Sequence, residues 1–244
     1  MLSVAPTVLF VRNESIATEA MLGEAFTDCG FDVATLDVAR PGRGSDPDAP
    51  VAFPDPAHYD VIVPLGASWA VYDDTLRDRW VGAEMQWLRD ADAAGVASLG
   101  VCFGGQLIAQ AFGGTVQRAE VPEVGWYEIT SDDETVIPSG RWFEWHFDRW
   151  TTLPPGATEL ARTANASQAF LVGRALALQF HPELDEALLE SWIIADDSKD
   201  VDAVALTAEQ LRSATAELRP DAEVRIRRLV NGFVERVVRQ PCPS

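Results

Sequence analysis

Short runs of consecutive apolar, often β-branched residues alternate along this chain with stretches whose apolar side chains recur every three or four positions. That alternation predicts an α/β domain in which helices cover both faces of a largely parallel sheet. Thr7–Arg12 (TVLFVR) reads as a strand buried on both sides. Met21, Leu22, Ala25, Phe26 and Cys29 fall on one helical stripe, closed by Gly30 at a C′ position. FDVATLDV and YDVIVPLGASW read as further strands, the latter entering a turn at Gly66. Between them lies a Pro/Gly/Asp-rich loop over 39–58, long enough to line a site. A helix is expected over about 75–94, with Trp80, Trp87 and Leu88 on its apolar face. GVASLGVC is a fourth buried strand and GQLIAQAF a short helix ended by Gly113-Gly114. From 116 to 180 alternating strands with turn signals suggest a β meander, after which EALLESWII and PDAEVRIRRLVNGFVERVV read as helices. Neither an internal repeat nor a linker interrupts this, so one domain is expected: a main body over 1–195 with a helical extension, 196–244, packed on it.

Composition narrows the range of partners. With 47% hydrophobic residues in 244, the chain can build a core without disulfides or metal. A formal charge of −19 repels phosphate backbones and anionic lipid, so neither nucleic acid nor membrane is an expected partner. No apolar run reaches membrane-spanning length and MLSVAPTVLFVRNES lacks the pattern of a signal peptide, which makes a cytoplasmic location the default expectation. Cys29, Cys102 and Cys242 are far apart and form no C-x-x-C pair, against a zinc ribbon or a thioredoxin-like redox site.

The chemistry concentrates in SLGVCFGGQLIAQAFGG. An apolar strand runs straight into Cys102, two glycines follow, and a helix begins. Such an elbow puts a nucleophile at the carboxyl end of a sheet strand, facing the crevice where α/β folds bind ligands. Glycines allow the tight turn, and a helix N-terminus favours the thiolate. The bland alternative is a core cysteine. In ALALQFHPEL a strand leads to His181, with Glu183 two positions on, so the two side chains share a face of extended chain. A thiol nucleophile needs a base to move its proton, and the base needs a partner that fixes its tautomer.

GVCFGGQ resembles the G-x-C-x-G-x-Q nucleophile motif of class I glutamine amidotransferases, and QFHPE resembles their His/Glu motif. YDVIVPLGASWAVYDD is similar to the strand and glycine turn that supplies an oxyanion-hole amide in that family. VPEVGWYEI and FEWHFDRWTTLPPGATELA resemble its GMP synthase-like branch, so the likeness spans about 8–189. The resemblance implies a doubly wound, mostly parallel, flavodoxin-like sheet with a smaller β meander and C-terminal helices. It implies Cys102 as nucleophile, His181 as general acid/base and Glu183 as its orienter. It also implies an oxyanion hole from the backbone amides of Phe103 and of Gly66 or Ala67. Gln106, His146, Phe147 and Asp148 would face a glutamine or γ-glutamyl substrate. Neither cofactor nor metal is implied.

Two positions depart from the family pattern. Ala67 stands where many relatives have a second glycine, and Phe147 follows the histidine of EWHFD where glycine is common. With no G-x-x-x-x-G-K-[ST] or G-x-G-x-x-G motif, no built-in nucleotide-activating domain is read from the chain. The readings left open are a glutaminase delivering ammonia to a separate synthase, a stand-alone hydrolase or transferase of γ-glutamyl amides, and a silent binding module on the same fold. His146 sits among Trp142, Trp145 and Trp150 and reads equally as a pocket wall or as one satisfied histidine in an aromatic patch. His58 reads as surface, Cys29 as core, and the acidic SDDE, DSKD and DEALLE as solvated faces.

Overall fold

Runs of apolar residues without polar interruption form strands here because both faces of the sheet are covered. The computed structural model describes residues 5–38, 51–197 and 199–239. Much of the loop read over 39–58, together with Cys242, lies outside the described residues. The strands are β1 (Thr7–Arg12), β2 (Asp32–Asp37), β3 (Val61–Pro64), β4 (Ala97–Val101), β5 (Thr115–Ser131), β6 (Gly140–Thr152), β7 (Thr158–Arg162), β8 (Ser167–Val172) and β9 (Ala175–Leu178). They form one sheet in the order β2-β1-β3-β4-β9-β8-β7-β5-β6. The β1–β2, β1–β3, β3–β4 and β4–β9 pairs are parallel; β8, β7, β5 and β6 continue antiparallel. The expected flavodoxin-like half is therefore present, and the meander extends the same sheet.

Side chains alternate across the pleat, as a period of two requires. Val8, Phe10, Val61, Val63, Leu99, Val101, Leu176 and Leu178 pack on one face, with Met21, Leu22, Ala25 and Phe26 of α1 (Ala20–Asp28). Leu9, Val11, Ile62, Ala175 and Ala177 point to the other. There Trp80 meets Met85, Trp87 and Leu88 of α3 (Gly82–Ala93) and Leu107 and Ile108 of α4 (Phe103–Ala111). The helix expected over 75–94 is α2 (Asp74–Leu76) joined to α3 through one wider π turn at Arg77–Val81. Near the start of the second described stretch, Phe53 stacks on Trp87 with ring centroids 5.0 Å apart. Cys29, expected in the core, is instead half-buried at the edge of the first core cluster.

Beyond β9 come α5 (Glu186–Asp196), α6 (Lys199–Ala203) and α7 (Ala208–Phe233). The last helix starts twelve residues before Pro220, where the sequence pattern placed its beginning. A Thr207–Gln210 capping box nucleates it, and Pro220 lies inside the helix. Ile226, Leu229, Val230 and Phe233 join α1 in one core, with Phe26 and Phe233 edge-to-face at 6.4 Å. Burying each such side chain is worth ~1.5–3 kcal/mol, which is why this helix holds to the body. No helix among the described residues is long and apolar enough to cross a membrane.

One polar anchor underlies the carboxyl end of the sheet. Glu84 of α3 is fully buried, and its Oε1 accepts from Asn13 Nδ2 at 3.2 Å. Asn13 Nδ2 also lies 3.4 Å from the Leu65 carbonyl, so three elements meet just below Gly66. Burial pushes the Glu84 carboxyl from 4.5 up to about 8, against a smaller downward pull from Asn13. A raised acid pKa in the fold stabilises the protein fully below the unfolded value and loses that contribution as pH climbs through the folded value, at ~1.4 kcal/mol per unit. Stability should therefore fall between about pH 5 and pH 8. Glu84→Gln should flatten that slope in urea titrations at several pH values. PH profiles of equal slope in the two proteins would show that Glu84 enters the fold already ionised.

Candidate active site

At the end of β4 the chain turns so sharply that Cys102 takes φ +50° and ψ −107°, a left-handed conformation a side chain rarely adopts. α4 then starts at Phe103, so the Phe103 amide, as the first residue of the helix, has no intrahelical acceptor. Glycines make the turn possible. A Cβ on Gly104 would lie 2.0 Å from the Pro64 carbonyl oxygen, and one on Gly100 2.4 Å from the Gly104 oxygen. The helix thus rests directly on the backbones of β3 and β4.

His181 follows β9, anchored by its own amide donating to the Phe143 carbonyl at 2.8 Å. Its Nδ1 lies 2.8 Å from Glu183 Oε1. Since an ionised carboxylate only accepts, Nδ1 carries the proton and Nε2 presents its lone pair. Nε2 is buried without a hydrogen-bond partner. Burial pushes the imidazole pKa down, but the Glu183 carboxylate and then the Cys102 sulfur outweigh it, and the ring is held well above its ordinary value. Trp192 of α5 packs edge-on against the ring at 4.7 Å. Gly66 closes the third side: a Cβ there would stand 3.0 Å from His181 Cε1 and 3.7 Å from Cys102 Cβ. The adjoining turn is pinned where Glu14 accepts from the Ser68 amide and hydroxyl, both at 2.9 Å.

A cavity of about 570 Å³ opens over these groups, lined by Gly66, Ala67, Cys102, Gln106, His146, Phe147, Asp148, His181 and Glu183. All the residues singled out from the sequence except Phe103 line it directly, and Phe103 follows the thiol as the first helical residue. Within it, Arg118 lies over the Phe147 ring at 4.7 Å, and Asp148 Oδ1 accepts from the Tyr72 hydroxyl at 2.9 Å. The sequence did not mark the far wall. Trp69, Trp192, Asp196, Lys199 and Asp200 line it. Trp145 Nε1 donates to Asp200 at 3.0 Å, so Lys199 and Asp200 of the acidic DSKD stretch line the cavity and are not merely a solvated face.

His146 is neither bare pocket wall nor a member of one aromatic patch. Trp142, Trp150 and Trp145 belong to three separate packing clusters. The imidazole is buried, with Nδ1 3.0 Å from the Asp148 carbonyl and Nε2 3.1 Å from Glu123 Oε2. Glu123 stands directly opposite His146 on β5, and Glu144, two residues back along β6, brings its Oε2 within 3.4 Å. Facing a carbonyl, Nδ1 must donate, and Nε2 shares a proton with two carboxylates. Burial, then repulsion from Glu123, holds the Glu144 carboxyl well above its usual range. Burial also opposes ionisation of Glu123, but the His146 bond outweighs it and the pKa ends below the ordinary value. The donor atoms of Glu123, Glu144 and His146 lie within 4.8 Å of one another, the spacing of a metal site. Glu123 is already engaged by Gln168 at 2.6 Å and Asn165 at 3.1 Å, which marks the trio as a proton-sharing brace.

A parallel sheet with a strained cysteine elbow and a carboxylate-oriented histidine at its carboxyl edge defines an α/β protein with a thiol-centred site. The description Glutamine amidotransferase class-I matches residues 70–199, and the chain belongs to that family, in its GMP synthase-like branch. Over 120 residues, 47% of this chain, it is 38% identical to the glutamine-hydrolyzing GMP synthase of Thermomicrobium roseum, a match covering 23% of that protein. It is 39% identical over 105 residues, 40% of the chain, to a glutamine-hydrolyzing GMP synthase subunit from Thermococcus kodakarensis, covering 56% of it. The chain thus spans from under a quarter to about half the length of these two relatives. A solved glutamine amidotransferase from Thermotoga maritima shares the fold, with TM-score 0.78 over 98% of this chain and 100% of that one at 23% identity.

Glu183 should hold the His181 proton. In Glu183→Gln the imidazole pKa should fall, because the carboxylate raises it in the native site. NMR titration can follow this cleanly, since the chain has three histidines. An unmoved His181 titration would mean another group is its counterion.

Proposed function

We propose that the protein hydrolyses the γ-amide of glutamine through a γ-glutamyl thioester on Cys102 and delivers ammonia to a separate synthase. The observation that carries this reading is the meeting of the Cys102 elbow with the His181–Glu183 pair, 2.8 Å apart, at the floor of one cavity. In this reading His181 Nε2 takes the thiol proton as sulfur attacks the γ-carbonyl carbon. The oxyanion is held by the amide of Phe103 and that of Gly66 or Ala67, each worth ~2.7–4 kcal/mol. When the tetrahedral intermediate collapses the C–N bond breaks, and His181 returns the proton to the departing nitrogen as ammonia. A water then attacks the thioester with His181 again as base, releasing glutamate and the thiol. Glu183 fixes the tautomer throughout. The main body over 1–195 carries this chemistry, and 196–244 adds helices to its core. Partner delivery is favoured by likeness to the Thermococcus kodakarensis protein, which is one subunit of a GMP synthase.

A second reading has its own support. A cavity of about 570 Å³ falls in the range of drug-sized ligands, and Trp69, Trp145, Phe147 and Trp192 give it apolar walls. That volume suits a γ-glutamyl compound with a bulky leaving amine, hydrolysed without a partner.

Cys102→Ser should lower glutaminase turnover by roughly 10³-fold or more with the fold intact by circular dichroism. A glutamine-mimicking electrophile should leave one adduct, on Cys102, by peptide mass spectrometry. Labelling of Cys29 or Cys242 instead would remove Cys102 from its role.

Phe147→Gly separates the two substrate readings. If the aromatic wall selects bulky γ-glutamyl compounds, kcat/KM for free glutamine should rise severalfold relative to γ-glutamyl anilides. Unchanged kinetics for both substrates, with turnover raised manyfold by a partner synthase, would establish the ammonia-delivery reading alone.

A further inference from the structure

The sulfur of Cys102 has a neighbour that the triad does not include. Gln179, buried at the end of β9, brings its Nε2 within 3.6 Å of Cys102 Sγ. An amide can turn either end toward a sulfur, so its orientation has to be argued from its other partners.

The argument starts at the Asp148 carbonyl, which can only accept. Gln106 therefore turns its amino group to it, with Nε2 at 3.1 Å. The other Gln106 amino hydrogen reaches Gln179, where the atom at 3.2 Å is Oε1. Turning Gln179 over would set two amino groups against each other in a dry site, at a penalty of about 1–3 kcal/mol for the unsatisfied donors. The Gln179 amino group is thus directed at the sulfur. The Asp148 carbonyl is fixed from its other side by His146 Nδ1 at 3.0 Å, whose ring is held by Glu123. An unbroken run of hydrogen bonds thus links the brace on β5 and β6 to the nucleophile, with the Asp148 carbonyl accepting from both sides.

We propose that Gln179 is a dedicated positioning donor for the Cys102 thiolate, with its amide locked in the donating orientation by Gln106 and the Asp148 carbonyl. A thiolate accepts such a bond more strongly than a thiol does, so the donor raises the thiolate fraction and aims the sulfur between His181 and the oxyanion amides. Its counterpart is the Trp145 carbonyl, 3.9 Å from Sγ, which can accept from the thiol but not stabilise the anion. The remaining titratable groups on the sulfur are His181, with Glu183 behind it, and Glu144 on β6, while Glu14 and Asp148 line the same cavity. None is altered by a change at Gln179.

The inference rests on Cys102 being the nucleophile, but the test reads ionisation rather than turnover. In the full-length protein, iodoacetamide labelling of Cys102 across pH gives the midpoint of thiolate formation, quantified on the Cys102 peptide. Gln179→Met keeps the volume without the donor and should raise the midpoint by about one unit, slowing labelling near neutral pH roughly tenfold. Gln106→Met adds no charge and leaves the sulfur's own neighbours in place, yet it removes the donor that fixes Gln179 Oε1, so the Gln179 amide loses its locked orientation. The midpoint should again rise. Should Gln179→Met fold poorly, Gln179→Leu serves the same purpose without adding a charge, with the same rise expected. An unmoved midpoint in a folded Gln179 variant overturns the proposal, as does a shift in the Gln179 variant with none in Gln106→Met. A silent active-site cysteine would be revealed separately, by turnover surviving in Cys102→Ser.

Discussion

The absence of a side chain at Gly100, Gly104 and Gly105 lets α4 sit on the sheet at backbone distance, and the site depends on that contact. A Cβ on Gly105 would lie 2.5 Å from the Leu178 carbonyl oxygen, as one on Gly104 would lie 2.0 Å from that of Pro64. The helix is thus seated on β3 and β9 at once, with β4 between them. Held so close, the chain has no room to leave β4 by a relaxed turn, and Cys102 takes up the difference as a left-handed φ of +50°. Strain of this kind is worth about 1–3 kcal/mol and survives where the surroundings over-determine it. Here they do: the Cys102 amide donates to the Leu178 carbonyl at 2.8 Å and its carbonyl accepts from Gln106 at 2.9 Å. The same seat brings β9, and with it Gln179 and the approach to His181, beside the elbow.

The other half of the site is built by a ribbon that forms the far edge of the sheet yet reaches back to its centre. β5 and β6 are long, and β6 offers its Phe143 carbonyl to His181 and its Trp145 carbonyl to the thiol. A ribbon making such contacts needs a rigid root in a dry environment, where an unpaired polar group is costly. Glu123, His146, Gln168 and Asn165 provide it by satisfying one another, while Glu144 remains beside them with its acidity suppressed by burial. Charge is therefore managed differently at the two buried histidines. At His181 a carboxylate fixes the Nδ1 proton and leaves Nε2 without a partner, and at His146 the Asp148 carbonyl and two carboxylates occupy both ring nitrogens.

Much of this was legible in the chain, for identifiable reasons. β1, β3, β4 and β9 are buried on both faces, so their apolar runs are unbroken, and the glycines after Cys102 mark the elbow because no other residue fits there. His181 and Glu183 do pair, but not by the expected period-two geometry: β9 ends at Leu178 and the two side chains meet across a turn at 182–183. Other features stayed hidden because their cause is tertiary. Pro220 reads as a helix start, since it cannot donate to the preceding turn. The Thr207 cap and the burial of Leu211 and Thr215 carry the helix through it. Glu84, Glu123 and Glu144 look like ordinary surface acids until helix packing buries the first and the β5–β6 pairing the other two. Gln179 did leave a signal, a polar residue closing the apolar ALAL run, but the histidine beside it drew the reading.

The wall formed by α5 and α6 then bears on what the site can accept. Trp192 faces His181, Trp145 is tied to Asp200, and Lys199, the chain's one lysine, lines the same rim. A cation at the edge of a cavity whose floor and rim carry Glu14, Asp148, Asp196 and Asp200 is placed to meet an anionic group on an entering molecule, while those acids suit an ammonium group. A γ-glutamyl unit bears one of each at its α-carbon. In the proposed γ-amide chemistry the leaving nitrogen lies at the opposite end of that unit from its α-carbon. The aromatic walls leave room for a leaving amine larger than ammonia, and the two proposed readings differ in how that room is filled.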